Sequence, residues 1–249
     1  MAQKTKTEID HPFQRLQSEL AALITSAQPG DKLPSEPDLA KRLNVSRATL
    51  REAMRSFEGQ GQIRRRQGKG TFVVSHTKII ETGLEVLESI ETQARRIHLD
   101  VSMGNLKMTK MPADAMQSEE LRVPEGTDAV IVSRVILAEN RPVAYLVDLL
   151  PESVLMLNDL QEGFTGSVLD RLLQRGTPSL ANSLSEIQAV AAPADIARAL
   201  QIQRGDVLLK FASRLMDTSG RVVDFSESYF LPGYFRFHVV RRVGGAAII

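Results

Sequence analysis

The chain has 249 residues, 43 % hydrophobic and 24 % charged, with no cysteine and a formal net charge of +1; that length suits two cores rather than one. The composition excludes a disulfide scaffold and argues against structural zinc, and His11, His76, His98 and His238 are too scattered for a metal cluster. No apolar run reaches the ~18 residues of a bilayer span and the start lacks a signal-peptide core, so a cytoplasmic protein with no membrane partner is expected.

Charge is segregated along the chain. Residues 1–75 hold 13 Lys/Arg against 8 Asp/Glu, whereas the remainder holds 18 against 22. Between Lys41 and Gly70 nine basic residues face only Glu52 and Glu58, a density suited to a polyphosphate partner or to a solvated basic face.

Phe13, Leu16, Leu20, Leu23 and Ile24 fall on one helical stripe, which Pro29-Gly30 ends. Ser35 then caps a short second helix with an acidic first turn at Glu36 and Asp38 and an apolar face of Leu39, Ala40 and Leu43. Asn44 suits a left-handed turn, and Ser46 caps a third helix carrying Leu50, Ala53, Met54 and Phe57 to Gly59 or Gly61. This spacing predicts a helix-turn-helix whose third helix enters the major groove by its first turn. Arg47 and Arg51 lie one turn apart, opposite Leu50 and Met54, beside Ser46, Ala48 and Thr49; arginine is the usual reader of guanine. Ser35 and Ser46 stand at helix N-termini, where backbone amides hold phosphate. Gln62–Arg65 and Thr71–Val74 read as two strands joined by Gln67-Gly68-Lys69-Gly70, a wing whose glycines permit close approach to DNA and whose Lys69 and Arg64-Arg65-Arg66 run supply charge.

Leu33-Pro34-Ser35-Glu36, Val45-Ser46-Arg47, Thr49-Leu50-Arg51-Glu52-Ala53 and Arg66-Gln67-Gly68-Lys69-Gly70-Thr71-Phe72-Val73 together resemble the GntR family of bacterial transcription regulators. The resemblance implies operator contacts at Arg47, Arg51 and Gly68. Pro37 stands where the family commonly has a DNA-reading arginine, and Ala48 where threonine is common, so the operator need not match that of relatives.

Residues 76–89 read as a linker with a connecting helix: a polar stretch, then Leu84, Leu87, Ile90, Ala94 and Ile97 at helical spacing into a second domain over 90–249. That domain carries an internal echo at about 80 residues. Pro112-Ala113-Asp114, Leu121, Gly126 and Ser133-Arg134 correspond to Pro193-Ala194-Asp195, Leu200, Gly205 and Ser213-Arg214. Each copy reads as a short helix and a hairpin, the strands joining one mainly antiparallel sheet, with a helix at Leu169–Leu173 between the copies. A cleft between two such halves is a natural ligand site.

Through Ser133-Arg134, Pro142-Val143-Ala144, Gly166-Ser167-Val168-Leu169, Ala194-Asp195, Gly205-Asp206 and Arg236-Phe237, residues 90–242 resemble the UTRA effector domain of the HutC branch of that family, which has the chorismate-lyase-like fold. The chain is therefore expected to be α+β: a winged helix-turn-helix over 1–75 and a UTRA-like domain with a mainly antiparallel sheet. The resemblance puts Arg134, Ser167 and Phe235 at the effector pocket, beside Thr165 and Gly166 at a helix N-terminus that favours an anionic group, and Glu227 and Tyr229 are grouped with them. Ile136 and Leu146 replace an arginine and an acidic residue common in phosphosugar binders, and Leu231-Pro232-Gly233-Tyr234 replaces a charged turn, so the effector expected has one anionic group and a less polar remainder.

The sequence reading is thus a homodimeric, effector-responsive regulator, most simply a repressor, with double-stranded operator DNA and a small molecule as partners and with no cofactor. Two alternatives stay open. One is an architectural DNA-binding dimer without effector. The other is an enzyme on the chorismate-lyase-like fold, for which no nucleophile motif or metal cluster is present and only Glu227 and His238 are unpaired candidates.

Overall fold

The computed structural model describes residues 12–59, 61–66, 68–74, 79–160, 164 and 166–241. The chain divides into two compact units, Met1–Thr77 and Lys78–Ile249.

In the first unit, α1 (Pro12–Ser26) buries Leu16, Leu20 and Ile24, the expected stripe. Ser35 accepts from the Asp38 amide and starts α2 (Glu36–Arg42), which buries Leu39 and Ala40. Asn44 takes a left-handed φ of 51°. This turns the chain into α3 (Arg47–Gly59), whose Leu50, Ala53, Met54 and Phe57 complete the core with Leu33, Ile63 and Val73. Each large apolar side chain so buried contributes about 1.5–3 kcal/mol relative to exposure. β1 (Ile63–Arg66) and β2 (Gly70–Val73) pair antiparallel, with Arg66 opposite Gly70. Lys32 bridges to Phe72 and the Leu33 amide donates to the Thr71 carbonyl at 2.8 Å, so the segment before α2 is tied to the wing.

The second unit opens with β3 (Ile80–Gly83), which pairs in parallel with the last strand, β10 (Phe235–His238). Here the structure corrects the sequence reading. The stripe from Leu84 to Ile97 is not one helix: Ser89, in an extended conformation, accepts from the Thr92 amide and starts α4 only at Ile90, ending at Arg96. Leu84 instead prolongs the strand pairing by donating to the His238 carbonyl at 2.9 Å. Apolar spacing satisfied a helix template, and the partner strand, over 150 residues away, won the backbone.

Next come β4 (Val101–Pro112), α5 (Ala115–Leu121), β5 (Asp128–Ala138), β6 (Arg141–Pro151), α6 (Val168–Arg175), β7 (Leu180–Ala191), α7 (Ala194–Leu200), β8 (Val207–Asp217) and β9 (Val222–Phe230). Six strands form one antiparallel sheet in the order β4-β5-β6-β9-β8-β7. That order has two-fold pseudosymmetry about the β6–β9 pair, so the internal repeat is real and each copy is a strand, a helix and a hairpin. Its register differs from the motif match. Val101, Ala115 and Asp128 open β4, α5 and β5, and Leu180, Ala194 and Val207, each 79 positions later, open β7, α7 and β8. The N-cap equivalent to Asp114 is therefore Pro193, and the equivalent of Arg134 is Ser213. Arg214 points to the opposite face, where it pairs with Glu120.

Strand alternation gives the sheet two different faces. On one, α5 and α7 cover Ala129, Leu149, Leu208 and Tyr229. On the other, α6 packs Val168 and Leu172 against Val130, Val132 and Leu150, while α4 and the β3–β10 pair enclose Ile136, Leu146, Phe211 and Phe230. Between those two apolar clusters the second face carries polar residues, and there a cavity opens.

Candidate functional site

Two places concentrate chemistry. In the first unit, Ser46 caps α3 by accepting from the Thr49 amide at 3.0 Å and sits 2.8 Å from the Thr49 hydroxyl, which aligns the exposed first turn of Ser46, Arg47, Ala48 and Thr49. Arg51 follows one turn later, half-exposed. It is not a loose surface arginine: its Nε donates to Glu36 at 2.6 Å, and the same carboxylate meets Arg65 Nη2 at 2.8 Å. Glu36 thereby ties α2, α3 and β1 together. Burial raises the Glu36 pKa, but the Arg51 hydrogen bond and the charges of Arg65, Arg51 and Arg47 outweigh it and hold the carboxyl below its ordinary value. In the wing, Arg66 lies 5.1 Å over the Phe72 ring and its carbonyl accepts the Lys69 amide at 2.9 Å, closing the turn. Gly68 and Gly70 have φ of +72° and +114°, values that other L-residues rarely adopt.

In the second unit a cavity of about 530 Å³ is lined by Arg134 from β5, Leu146 and Asp148 from β6, Asp224, Ser226 and Ser228 from β9, Ser213 from β8, Ser167 before α6, and Glu91 from α4. That volume suits a small metabolite. One wall is aromatic: Phe211, Phe230 and Phe237 have ring centroids 4.5–5.2 Å apart. Arg134, only 4 % exposed, is ion-paired with Asp148. Asp224 packs on the same pair, and burial together with the charge of Asp148 pushes its carboxyl well above the usual range, against the opposing pull of Arg134. Burial also raises Glu91, with Arg134 pulling the other way. Arg134 Nε, Asp224 Oδ1 and Glu91 Oε1 are buried without a hydrogen-bond partner. Buried polar atoms are almost always satisfied, and these three stand at one cavity, where an ordered water or a ligand can meet them.

Family models match this chain twice: "Bacterial regulatory proteins, gntR family" over residues 13–73, and "UTRA domain" over 98–236. The chain belongs to the GntR family. It is 27 % identical over 217 residues to the histidine utilization repressor of Klebsiella aerogenes, covering 87 % of both chains. It is 24 % identical over 221 residues to the mannosyl-D-glycerate transport/metabolism system repressor MngR of Escherichia coli, covering 86 % of this chain and 88 % of that one. Among solved structures, PhnF from Mycobacterium smegmatis superposes with a TM-score of 0.63 at 20 % identity, over 92 % of this chain and all of that one, which shows the shared fold. A GntR helix-turn-helix followed by a UTRA domain is the HutC arrangement expected from the sequence, and it marks a transcriptional regulator rather than an enzyme. Among the described residues no helix is long and apolar enough to cross a membrane.

Within this GntR regulator, the winged helix brings Ser46, Arg47, Thr49 and Arg51 onto one exposed helix start, and Arg66, Gly68, Lys69 and Gly70 onto the wing. Ser35 is occupied as the α2 cap, 2.5 Å from the Asp38 carboxylate. Gln67 lies outside the described residues. In the UTRA domain, Arg134 and Ser167 both line the cavity. Gly166 sits beside it with φ +109°, where a side chain would fall 3.1 Å from Glu91 Oε1. Thr165 lies outside the described residues. Three other residues are not at the cavity. Phe235 is packed in the core against Phe230. Glu227 and Tyr229 alternate with Ser226 and Ser228 and so face the far side of the sheet, where Glu227 pairs with Lys210 and accepts from the Tyr229 hydroxyl at 3.3 Å.

The charge of the UTRA cavity also departs from the expectation of an anion site. Arg134 is already matched by Asp148, and Ser167 accepts the Asp170 amide at 2.9 Å, so Asp170 occupies the N-terminal turn of α6. Asp148, Asp224 and Glu91 went unnoticed in the sequence. Strand periodicity alone puts Asp148 on the same face as Leu146, but nothing local announces that β9 and α4 deliver two more carboxyl groups to it.

Proposed function

We propose that the protein is a ligand-responsive transcriptional repressor that binds a two-fold operator as a homodimer and releases it when a small molecule fills the UTRA cavity. The observation that carries this reading is the cavity itself: about 530 Å³, with buried unpartnered polar atoms, in a chain whose other unit presents a capped, arginine-bearing recognition helix. Two-fold binding follows from scale, since one winged helix contacts few bases and a symmetric pair of half-sites is the usual remedy. Repression is supported by the relatives, two of which are named repressors of a utilization or transport system. Arg47 and Arg51 read bases, Arg66, Lys69 and the wing glycines approach the backbone or minor groove, and the Ser46 end of α3 faces phosphate. An anionic effector, expected from Arg134 and Ser167, is not retained, because the Arg134 charge is matched by Asp148 through Nη1, leaving only Nε without a partner, and Ser167 caps α6.

Release requires that the effector prefer the arrangement that binds DNA less well, with a coupling typically of ~1–3 kcal/mol, or roughly 5- to 150-fold in operator affinity. The test is a gel-shift titration with an operator duplex, before and after adding the small molecules that co-purify with native protein, identified by mass spectrometry. Arg47→Ala or Arg51→Ala abolishes specific binding. The double variant Arg134→Met, Asp148→Leu, which removes the buried ion pair without stranding one charge, keeps operator binding and loses the response. Normal operator binding by the variants at 47 and 51 would refute the DNA-site assignment, and an unaltered response in the double variant would refute the cavity.

A further inference from the structure

The described residues lining the cavity include five carboxylates, Glu85, Glu88, Glu91, Asp148 and Asp224, against one guanidinium, Arg134. Glu88 is paired with Arg96, and Glu85 accepts the Val240 amide. Arg134 is committed to Asp148. Asp224, 6 % exposed, shares a hydrogen bond with Asp148 and accepts the Leu149 amide, while its Oδ1 and Glu91 Oε1 are buried in the cavity wall without a hydrogen-bond partner. An acidic group left so is expensive to bury unless a proton or a cation meets it.

We propose that this cavity takes a ligand with a cationic nitrogen, an amine or amidine, seated among Asp224, Asp148 and Glu91, its apolar part lying on Phe211, Phe230 and Phe237. The proposal rests on the cavity being the effector site. A charged N–H donor supplies what the two orphan oxygens lack, and charge-assisted hydrogen bonds of this kind are about twice as strong as neutral ones. The neighbouring rings add the favourable contact of a cation with an aromatic face.

The charged groups that face the seat are Glu91 on α4, Arg134 on β5, Asp148 on β6 and Asp224 on β9, with Asp170 on α6 held by the Ser89 hydroxyl at 2.7 Å. In the free protein, burial keeps Asp224 above all, and also Glu91, protonated beyond the usual carboxylate range. An incoming cation displaces that proton. Affinity for a cation therefore rises with pH until the free-protein pKa is passed, about tenfold per pH unit while one proton is released. An anion bound to Arg134 Nε would show the opposite slope, because it needs the carboxyls to stay protonated.

The experiment uses the full chain and three probes of matched skeleton, 2-phenylethylamine, 3-phenylpropanol and 3-phenylpropanoate, titrated calorimetrically from about pH 6 to pH 8 in two buffers of different ionisation heat. The amine is expected to bind at least tenfold more tightly than the carboxylate, with affinity rising with pH and a proton released. Asp224→Asn, checked as folded by its melting temperature, should weaken the amine at least tenfold and suppress proton release. Tighter binding of the carboxylate, an amine affinity that is flat or falls with pH, indifference to Asp224→Asn, or no amine binding at millimolar concentration overturns the proposal. Operator affinity measured in the same samples separates the two readings. An amine with the expected pH signature that leaves operator affinity unchanged refutes the effector role and keeps the charge assignment, and an anion that binds and releases operator does the reverse.

Discussion

Replacing Glu36 by glutamine separates orientation from charge in the DNA-reading unit. Its carboxylate, 17 % exposed, accepts Arg51 Nε at 2.6 Å and meets Arg65 at 2.8 Å. Because its folded pKa is depressed, the stability it contributes is present above the ordinary carboxylate value and is lost only as pH falls through the lowered one, so at neutral pH the pair is intact. Arg51 is 52 % exposed, so solvent screening limits that stability to less than about 1 kcal/mol. The effect on readout is larger. A correctly aimed arginine discriminates its base pair by about 1–3 kcal/mol, roughly 5- to 150-fold. Glutamine preserves the size and one acceptor for Arg51 but removes a negative charge beside three arginines and weakens the tie to Arg65. Non-specific DNA binding should therefore strengthen, with a salt slope steeper by about 0.9, one further phosphate neutralised. Specific binding should gain nothing, so the ratio of specific to non-specific affinity falls by about five- to tenfold. Fluorescence anisotropy with a duplex selected by the wild-type chain and a scrambled duplex, over a salt series, measures both quantities. A ratio unchanged in Glu36→Gln but collapsed in Arg51→Ala would refute the reasoning, leaving Glu36 as a packing residue.

Asp224→Asn should raise the melting temperature of the second unit. The folded pKa is raised, so the fold is favoured below the unfolded value and loses that advantage as pH rises through the folded one. The gain, about 2–4 °C for a change of 1 kcal/mol, should appear near pH 8 and shrink toward pH 4, and calorimetry showing no gain at any pH would contradict it. Gly68→Ala should destabilise the first unit by about 1 kcal/mol in urea titration, through its left-handed φ of +72° and not through crowding, since nothing lies within 4 Å of the added carbon. Leu172→Ala, at a fully buried site under the sheet, should lower stability by about 2–5 kcal/mol without altering the salt dependence of DNA binding by the first unit.

The DNA-reading half was legible because its signals are local. Ser35 and Ser46 cap the helices they precede, Asn44 makes the turn, and the apolar stripe of α1 needs only its own spacing. Even there, the bond from Arg51 to Glu36 joins positions fifteen apart, on different helices, and no periodicity predicts it.

In the second half, the sequence by itself determined the duplication and the antiparallel strands, and the family resemblance grouped Arg134 with Ser167. Tertiary structure decided the rest. Whether the linker over residues 80–83 forms a strand depended on β10, and a shift of one residue in the repeat sent Arg214 to the other face while Ser213 took the position equivalent to Arg134. The acidity of the cavity was settled the same way. Glu91, Asp148 and Asp224 come from a helix and two strands far apart in the chain, and each reads locally as an ordinary charged residue. Only the pairing of β6 with β9, and the packing of α4 over them, removes water from these carboxyls and makes their charge a property of one site. Local patterns follow from bonds along the chain, whereas burial and charge balance are set by what the fold places alongside.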